Sequence, residues 1–220
     1  MIRTQMKTLN PVVVYIALAR FVGALGFSIS MPFLALYLHQ ELQIKPSVIG
    51  GMLTAAGILG ALFSQIGGRL SDSLGRKYLL ILLLGMRSFS FLLLAYLVWS
   101  HRGFGWFSLF YITSALFGTS IFPVMDAIVA DVTPSSGRDS AYSLIRVAAN
   151  LGWGIGPAIG GILVIWGYWW LFLITALLVF GSLVLIKWKI PETKNNTENS
   201  PKSYRTMALK DDAKLRLFVV

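Results

Sequence analysis

Four ionisable residues, Arg20, Arg87, Asp126 and Arg146, fall inside long apolar runs of the sequence. Charged side chains at membrane depth are costly and usually face the protein interior or a water-filled path. Arginine stays protonated, so it can bind an anion or a carboxylate but cannot carry a proton. A desolvated carboxylate can exchange a proton near neutral pH, which makes Asp126 the candidate for proton coupling. The excess of arginine predicts either carboxylate partners outside this chain or an anionic substrate.

Asn150 lies one helical turn after Arg146, and we expect both residues to face the protein interior beside the glycines that follow them. For the shallower ionisable residues, the alternative is a side chain that reaches back to the membrane surface. The candidate residues of an internal cavity are Arg20, Arg87, Asp126, Arg146 and Asn150.

The sequence offers little support for enzyme, metal or nucleic-acid chemistry. There is no cysteine, and the two histidines, His39 and His101, fall in short separators without a cluster of carboxylates. The formal net charge of +10 comes from basic residues between apolar runs, not from a basic face with exposed aromatic side chains. We therefore expect no catalytic residue, no metal, no cofactor and no nucleic-acid partner.

A polar constellation separates the second and third apolar runs. Its pattern is Gly68-x-x-x-Asp72-x-x-Gly75-Arg76-Lys77. Gly68 allows a neighbouring helix to approach, and Gly75 permits a tight turn. The Asp72 carboxylate can cap a helix N-terminus or bind an arginine, while Arg76 and Lys77 hold the segment on the cytoplasmic side. The pattern predicts a reverse loop between antiparallel helices.

A second pattern, Gly152-x-x-x-Gly156-Pro157-x-x-Gly160-Gly161, lies in the fifth apolar run. Spacing by four places the first, second and third of these glycines on one helix face, where small residues allow close helix contact. Pro157 removes a backbone donor and bends the helix. The second run repeats the four-residue spacing of small residues at Ala56, Gly60, Ser64 and Gly68.

Transmembrane helices must position these residues. Of the 220 residues, 56% are hydrophobic and 13% are charged, which is too apolar for an ordinary soluble domain. Lipid accepts only helices and closed barrels, and these runs are too long and continuous for barrel strands. The fold class is therefore an all-α membrane protein, a six-transmembrane-helix bundle. Its predicted spans lie near 11–37, 47–69, 78–99, 104–131, 140–165 and 168–188.

The chain divides into three predicted parts. Residues 1–190 form the transmembrane bundle, residues 191–214 form a polar cytoplasmic linker, and residues 215–220 turn apolar again like the start of a seventh span. This broken pattern predicts a fragment of a longer protein. Lysine and arginine concentrate on the side that holds both termini, so the positive-inside bias predicts cytoplasmic termini.

The pattern from Gly68 to Lys77 resembles the loop that marks the major facilitator superfamily, and the pattern from Gly152 to Gly161 looks like that of its proton-coupled drug antiporter branch. The resemblance implies the N-terminal half of a twelve-helix fold, whose missing C-terminal six-helix half is a partner. It further implies an ion pair between Arg76 and Asp131 that fastens the fourth span to the loop in one transport state. The alternative for Asp131 is a helix-end aspartate in water.

The resemblance also implies a function. We expect a secondary active transporter that works by alternating access in the cell (inner) membrane. Its expected activity is proton-coupled efflux of small amphipathic molecules or drugs, with the proton gradient as energy source. The alternatives are an anion or sugar-type solute facilitator of the same superfamily, or a truncated six-span membrane protein without transport activity.

Overall fold

The computed structural model describes residues 10–193, except for the surroundings of Gly68 and the side chains of Arg69 and Asp72. Six helices within this range are long and apolar enough to cross a membrane, which confirms the predicted fold class. They are α1 (Pro11–Gln40), α2 (Pro46–Leu74), α3 (Arg76–Trp99), α4 (Phe104–Val132), α5 (Arg138–Val164) and α6 (Trp169–Lys189), with a 3-10 turn at Ser135–Gly137. Most of the predicted linker and the predicted seventh span lie outside the described residues.

The helix boundaries have local causes. Proline occupies the first helical position of α1 and α2, where its missing N–H costs nothing. The Asn10 side chain caps α1 by accepting a hydrogen bond of 3.0 Å from the Val12 N–H.

The turn between α2 and α3 is shorter than predicted. Gly75 alone separates the two helices, with a φ of 98° that L-residues with side chains rarely adopt. The helix α2 itself continues past the predicted end of the second span near residue 69, to Leu74. Asp72 consequently lies in the last turn of α2, not in a loop.

The helices pack in three principal pairs. α1 packs most extensively on α5, α2 on α4 and α3 on α6, and α3 also contacts α4 while α1 contacts α6. Buried apolar side chains form two clusters, one at each end of the bundle. The first includes Ile16, Leu80 and Ile128, and the second includes Leu38 and Phe172. Between these clusters, the middle of α3 carries Arg87.

The glycine face of α5 makes the close helix contact that the spacing predicts. A Cβ atom built on Gly152 would lie 2.6 Å from the Phe21 carbonyl oxygen of α1, and one on Gly160 would lie 2.5 Å from that of Ile29. A Cβ atom on Gly156 would overlap the Ser28 hydroxyl. Backbone therefore lies nearly on backbone along α1 and α5, an approach that only glycine permits.

The small-residue face of α2 follows a different register from the predicted one. Ala56, Gly60 and Gly67 are buried, and the two glycines lie against Thr119 and Ser120 of α4. Ser64 instead turns back to donate a hydrogen bond to the Ala61 carbonyl. A strict four-residue spacing drifts by about 40° per step around a helix of 3.6 residues per turn. After two such steps the contact face has moved, and Gly67 lies on it; the surroundings of Gly68 are not among the described parts of the chain.

Candidate functional site

A cavity of about 260 Å³ lies between α1, α2, α3, α4 and α5. Its walls are mainly apolar and aromatic, with contributions from Phe27, Met31, Leu53, Tyr111 and Trp153. Gly23 and Gly57 also line it, and a Cβ atom on either would meet nothing within 4 Å. A concave, mainly apolar space with few polar groups is the usual form of a small-molecule site.

Arg87 is the cation in the wall of this cavity. It is only 7% exposed, and its Nε has no hydrogen-bond partner among the described residues. Its guanidinium carbon lies 5.6 Å from the ring centroid of Phe27 and 5.7 Å from that of Phe91, within the range of cation–π attraction. The described part of the chain places no carboxylate against it. Arg87 is therefore held by ring faces and leaves its charge uncompensated there.

Arg20 and Asp126, both predicted cavity residues, form an ion pair that joins α1 to α4. The Arg20 guanidinium also donates a hydrogen bond of 3.3 Å to the Phe122 carbonyl and lies 4.3 Å from the centroid of the Phe122 ring. The Arg20 side chain is 12% exposed, whereas that of Asp126 is 46% exposed in this chain. The pair thus has a largely buried cation and a carboxylate that this chain leaves partly uncovered.

The ion pair lies next to the cavity. A second, small cavity of about 10 Å³ touches both Arg20 and Arg87, and Gly23 and Phe122 line both cavities. The Arg20–Asp126 pair therefore lies close to residues that form the wall of the larger cavity.

The ion pair expected between Arg76 and Asp131 is present, and it fastens the first turn of α3 to the last turns of α4. The Arg76 guanidinium also donates a hydrogen bond of 2.6 Å to the Ala127 carbonyl. Both side chains are largely buried, at 16% and 15% exposure. A solvated Asp131 at a helix end, the alternative weighed from the sequence, does not fit this geometry. Whether the pair opens and closes during transport stays a prediction.

Glu192 is a residue of this region that the sequence did not reveal. Its Oε1 accepts hydrogen bonds from the backbone N–H groups of Arg76 at 3.0 Å and Lys77 at 3.5 Å. A carboxylate here satisfies open donors and favours the positive end of the α3 dipole. The Pro-Glu-Thr sequence after α6 was assigned to the linker, because polar composition alone does not show where a side chain docks.

Arg146 and Asn150 do not lie on the glycine face of α5, where the sequence placed them. Both residues are exposed, and neither lines the cavity. The Gly152 face of α5 is occupied by α1, and residues 146 and 150 lie roughly 120° and 160° around the helix from Gly152 at 100° per residue. Proximity in sequence to the glycines therefore did not mean a shared face. Pro157 is exposed as well. A Cβ atom built on Gly161 would make only an ordinary contact, 3.7 Å from Phe33 Cζ.

The described part of the chain thus has six helices apolar enough to span a membrane, and five of them surround a cavity that holds a buried cation. Residues 16–217 match the sequence model described as Major Facilitator Superfamily, and the chain belongs to this family. The chain is an integral membrane protein, and the family and the relatives that it matches are transporters, not enzymes.

Two curated relatives and one solved structure illustrate the match. The chain is 28% identical to sugar efflux transporter C of Escherichia coli (strain K12), over 99% of this chain and 56% of the relative. It is 30% identical to quinolone resistance protein NorA of Staphylococcus aureus (strain MRSA252), over 64% of this chain and 35% of the relative. The crystal structure of the human organic anion transporter MFSD10 (TETRAN) matches with a TM-score of 0.65 at 23% identity, covering 84% of this chain and 49% of that one. The last match shows the fold alone. The chain spans about half the length of the curated relatives it matches.

Proposed function

We propose that this chain is the N-terminal bundle of a proton-coupled exporter of small amphipathic molecules. A second six-helix bundle completes the transporter, and the two bundles rock about a shared site. The observation that carries the proposal is the apolar, aromatic cavity directly beside the Arg20–Asp126 pair. Relatives named as a sugar efflux transporter and a quinolone resistance protein support export as the direction.

The polar groups of the cavity favour an amphipathic substrate over a sugar. A sugar needs several donors and acceptors, because a buried hydroxyl without a hydrogen bond is costly. Here the Tyr111 hydroxyl donates to the Met31 sulfur at 3.4 Å, and the Thr119 hydroxyl donates to the Gly60 carbonyl at 2.7 Å. Two of the few lining hydroxyl protons are therefore already used. The second candidate, a sugar or anion facilitator, is supported by the relative named for sugar efflux and by Arg87.

Asp126 is the proposed proton carrier of this bundle. Protonation of its carboxylate removes the negative charge that holds Arg20, and so weakens the contact between α1 and α4. Because this chain leaves the Asp126 carboxylate partly uncovered while the Arg20 guanidinium is largely buried, the carboxylate is the partner that a proton can approach. The charge change thus acts on two helices that both line the cavity.

The proposed location is the cell (inner) membrane with both termini in the cytoplasm. Arg76, Lys77 and Arg138 lie at one end of the bundle together with Lys187 and Lys189, whereas Lys45 and Arg102 lie at the other. This distribution follows the positive-inside bias.

Transport in proteoliposomes tests the proposal. The purified protein is reconstituted, a pH gradient is imposed, and accumulation of the amphipathic anionic dye fluorescein and of radiolabelled lactose is followed in parallel, with nigericin added to collapse the gradient. We expect gradient-dependent movement of the dye and little movement of the sugar. Movement of lactose without dye would favour the second candidate.

The Asp126→Asn variant separates proton coupling from transport itself. We expect it to lose gradient-driven accumulation while it retains exchange of labelled for unlabelled substrate, because exchange needs no net proton movement. Arg102→Gln, a change in the exposed separator between α3 and α4, is the matched control. Gradient-driven accumulation at the wild-type level in Asp126→Asn would rule out Asp126 as the carrier.

A further inference from the structure

We propose that Arg87 binds the negatively charged end of the substrate, so that the cavity selects amphipathic organic anions, aromatic carboxylates or sulfonates. This inference rests on the cavity of the proposed function and names its substrate class. It does not depend on proton coupling or on the direction of transport.

The first support is the position of Arg87 in the wall. The residue is more than nine-tenths buried, lines the cavity and has an Nε without a hydrogen-bond partner among the described residues. Burying a cation is costly unless a counter-charge accompanies it. The planar guanidinium presents paired N–H donors that match the two oxygens of a carboxylate or sulfonate.

The second support is the distribution of acidic side chains. Asp126 is held by Arg20, Asp131 by Arg76, and Glu192 by the N-terminus of α3. Glu41 follows α1 and Asp139 begins α5, so both lie at helix ends away from the middle of α3. No described acidic residue lines the cavity, and its net charge is therefore positive. A substrate that carries a negative charge supplies the counter-charge that the described wall of the cavity lacks.

The third support is the aromatic wall beside the guanidinium. Phe27 lies under Arg87 and meets Trp153 edge to face, with ring centroids 5.4 Å apart. Tyr111 lies on the same cavity, and the open sides of Gly23 and Gly57 leave room for a flat ring. A ring can thus contact Phe27, Tyr111 and Trp153 while its anionic group reaches Arg87. The cavity therefore fits a molecule with an apolar ring at one end and a negative charge at the other. Neutral and cationic amphiphiles lack the negative charge.

Equilibrium binding of a matched pair of probes tests the inference. The pair is 2-naphthoate and 2-naphthamide, which share ring and size but differ in charge. Each is dialysed to equilibrium against the purified protein in lipid nanodiscs, with protein-free nanodiscs as the blank. We expect at least tenfold tighter binding of the carboxylate, which corresponds to about 1.4 kcal/mol. Equal binding of the two probes by the wild-type protein would overturn the inference. The same result is expected if an acidic residue elsewhere in the protein neutralises Arg87, and it overturns the inference in that case too.

Variants test whether Arg87 causes the preference for 2-naphthoate over 2-naphthamide. Arg87→Gln should bring the ratio of the two affinities to about one, and Arg87→Lys should keep part of the preference because it keeps the charge. Trp153→Ala should weaken both probes and leave the ratio unchanged. Arg102→Gln, exposed and away from the cavity, is the control for loss of one positive charge. An unchanged ratio in Arg87→Gln would overturn the inference, and if that variant does not fold, the wild-type ratio and Arg87→Lys still decide.

Binding and transport fail in different ways. A charge-selective site in a protein that moves no substrate would contradict the proposed function and leave the inference standing. Export of neutral and cationic dyes without any preference for 2-naphthoate would contradict the inference and leave the proposed function standing.

Discussion

The Arg87 guanidinium of α3 lies directly on Gly118 of α4. A Cβ atom built on Gly118 would lie 2.8 Å from Arg87 Cζ and 2.9 Å from Nη1. Real Cβ contacts are longer, so the absence of a side chain at position 118 determines where the buried charge lies. Gly118 thereby helps to determine the position of the Arg87 guanidinium in the candidate binding site.

Gly118→Ala should displace the guanidinium and disturb the cavity. Because the displaced group is the end of a long side chain, the expected cost to stability is modest, about 1 kcal/mol, near the low end for overpacking. The affinity for 2-naphthoate should fall more than that for 2-naphthamide. Thermal unfolding and probe binding measure the two effects. Gly57→Ala, on the same cavity but with open space around its Cβ, should leave the unfolding temperature unchanged or raise it.

The glycine face of α5 makes a sharper prediction. Gly152→Ala places a methyl group 2.6 Å from the Phe21 carbonyl oxygen and 2.8 Å from the Leu25 nitrogen, both backbone atoms that cannot rotate away. α1 and α5 must separate, so we expect a loss of about 1–3 kcal/mol in the free energy of unfolding. Unfolding in mixed SDS micelles measures the loss. Gly154→Ala, two residues along and with nothing within 4 Å, is the control, and equal losses in the two variants would contradict the close contact.

The Arg76–Asp131 pair should appear as a coupling energy. In a double-mutant cycle of Arg76→Gln and Asp131→Asn, we expect an interaction of about 0.5–3 kcal/mol, the range for residues in direct contact. Both side chains are largely buried, so solvent screens the pair only in part. The same cycle with Arg102→Gln in place of Arg76→Gln should give a coupling near zero, because Arg102 lies at the opposite end of the bundle. A coupling near zero for Arg76 and Asp131 as well would show that the pair is not formed in the membrane.

Glu192 should protect the first turn of α3. Removal of its carboxylate in Glu192→Ala leaves the backbone N–H groups of Arg76 and Lys77 without this acceptor, at an expected cost of about 1 kcal/mol, as for other N-terminal caps. Glu192→Gln keeps an acceptor oxygen but loses the charge, so its effect should be smaller. Hydrogen exchange of these two amides measures the effect locally. Equal exchange rates in wild type and Glu192→Ala would contradict the cap.

The sequence predicted what depends on composition and local spacing. Apolar run length predicted six helices, four-residue spacing predicted a close helix contact on the glycine face of α5, and Gly75 marked a tight turn. What it missed depends on how each helix rotates about its axis. Arg20 and Asp126 are separated by 106 residues, and only the packed orientation of α1 against α4 brings them together. In the same way, the rotation of α5 leaves Arg146 exposed, although its neighbour Ile145 is buried.

A different kind of information was missing for Glu192. Its partners are backbone N–H groups, which every residue except proline carries, so no residue type at positions 76 and 77 signals the contact. The register of α2 was missed for a related reason. Four-residue spacing identifies a stripe of small residues, but the contact with α4 follows the true helical repeat and passes to Gly67.

Hydroxyl groups tie four of the helix pairs to one another. Thr175 of α6 donates to the Gly26 carbonyl of α1 at 2.6 Å, and Ser28 of α1 donates to the Gly152 carbonyl of α5 at 2.9 Å. Ser88 of α3 and Thr119 of α4 make the same kind of bond to α6 and α2, at the carbonyls of Ala176 and Gly60. Each acceptor belongs to the main chain.

Three of the four hydroxyl donors, Ser28, Ser88 and Thr175, do not line the cavity. Substitutions at Phe27, Leu53 or Trp153 can change the shape of the cavity without removing any of these four bonds. Such a division permits the shape of the cavity to change by single substitutions while the bundle keeps these attachments to the main chain.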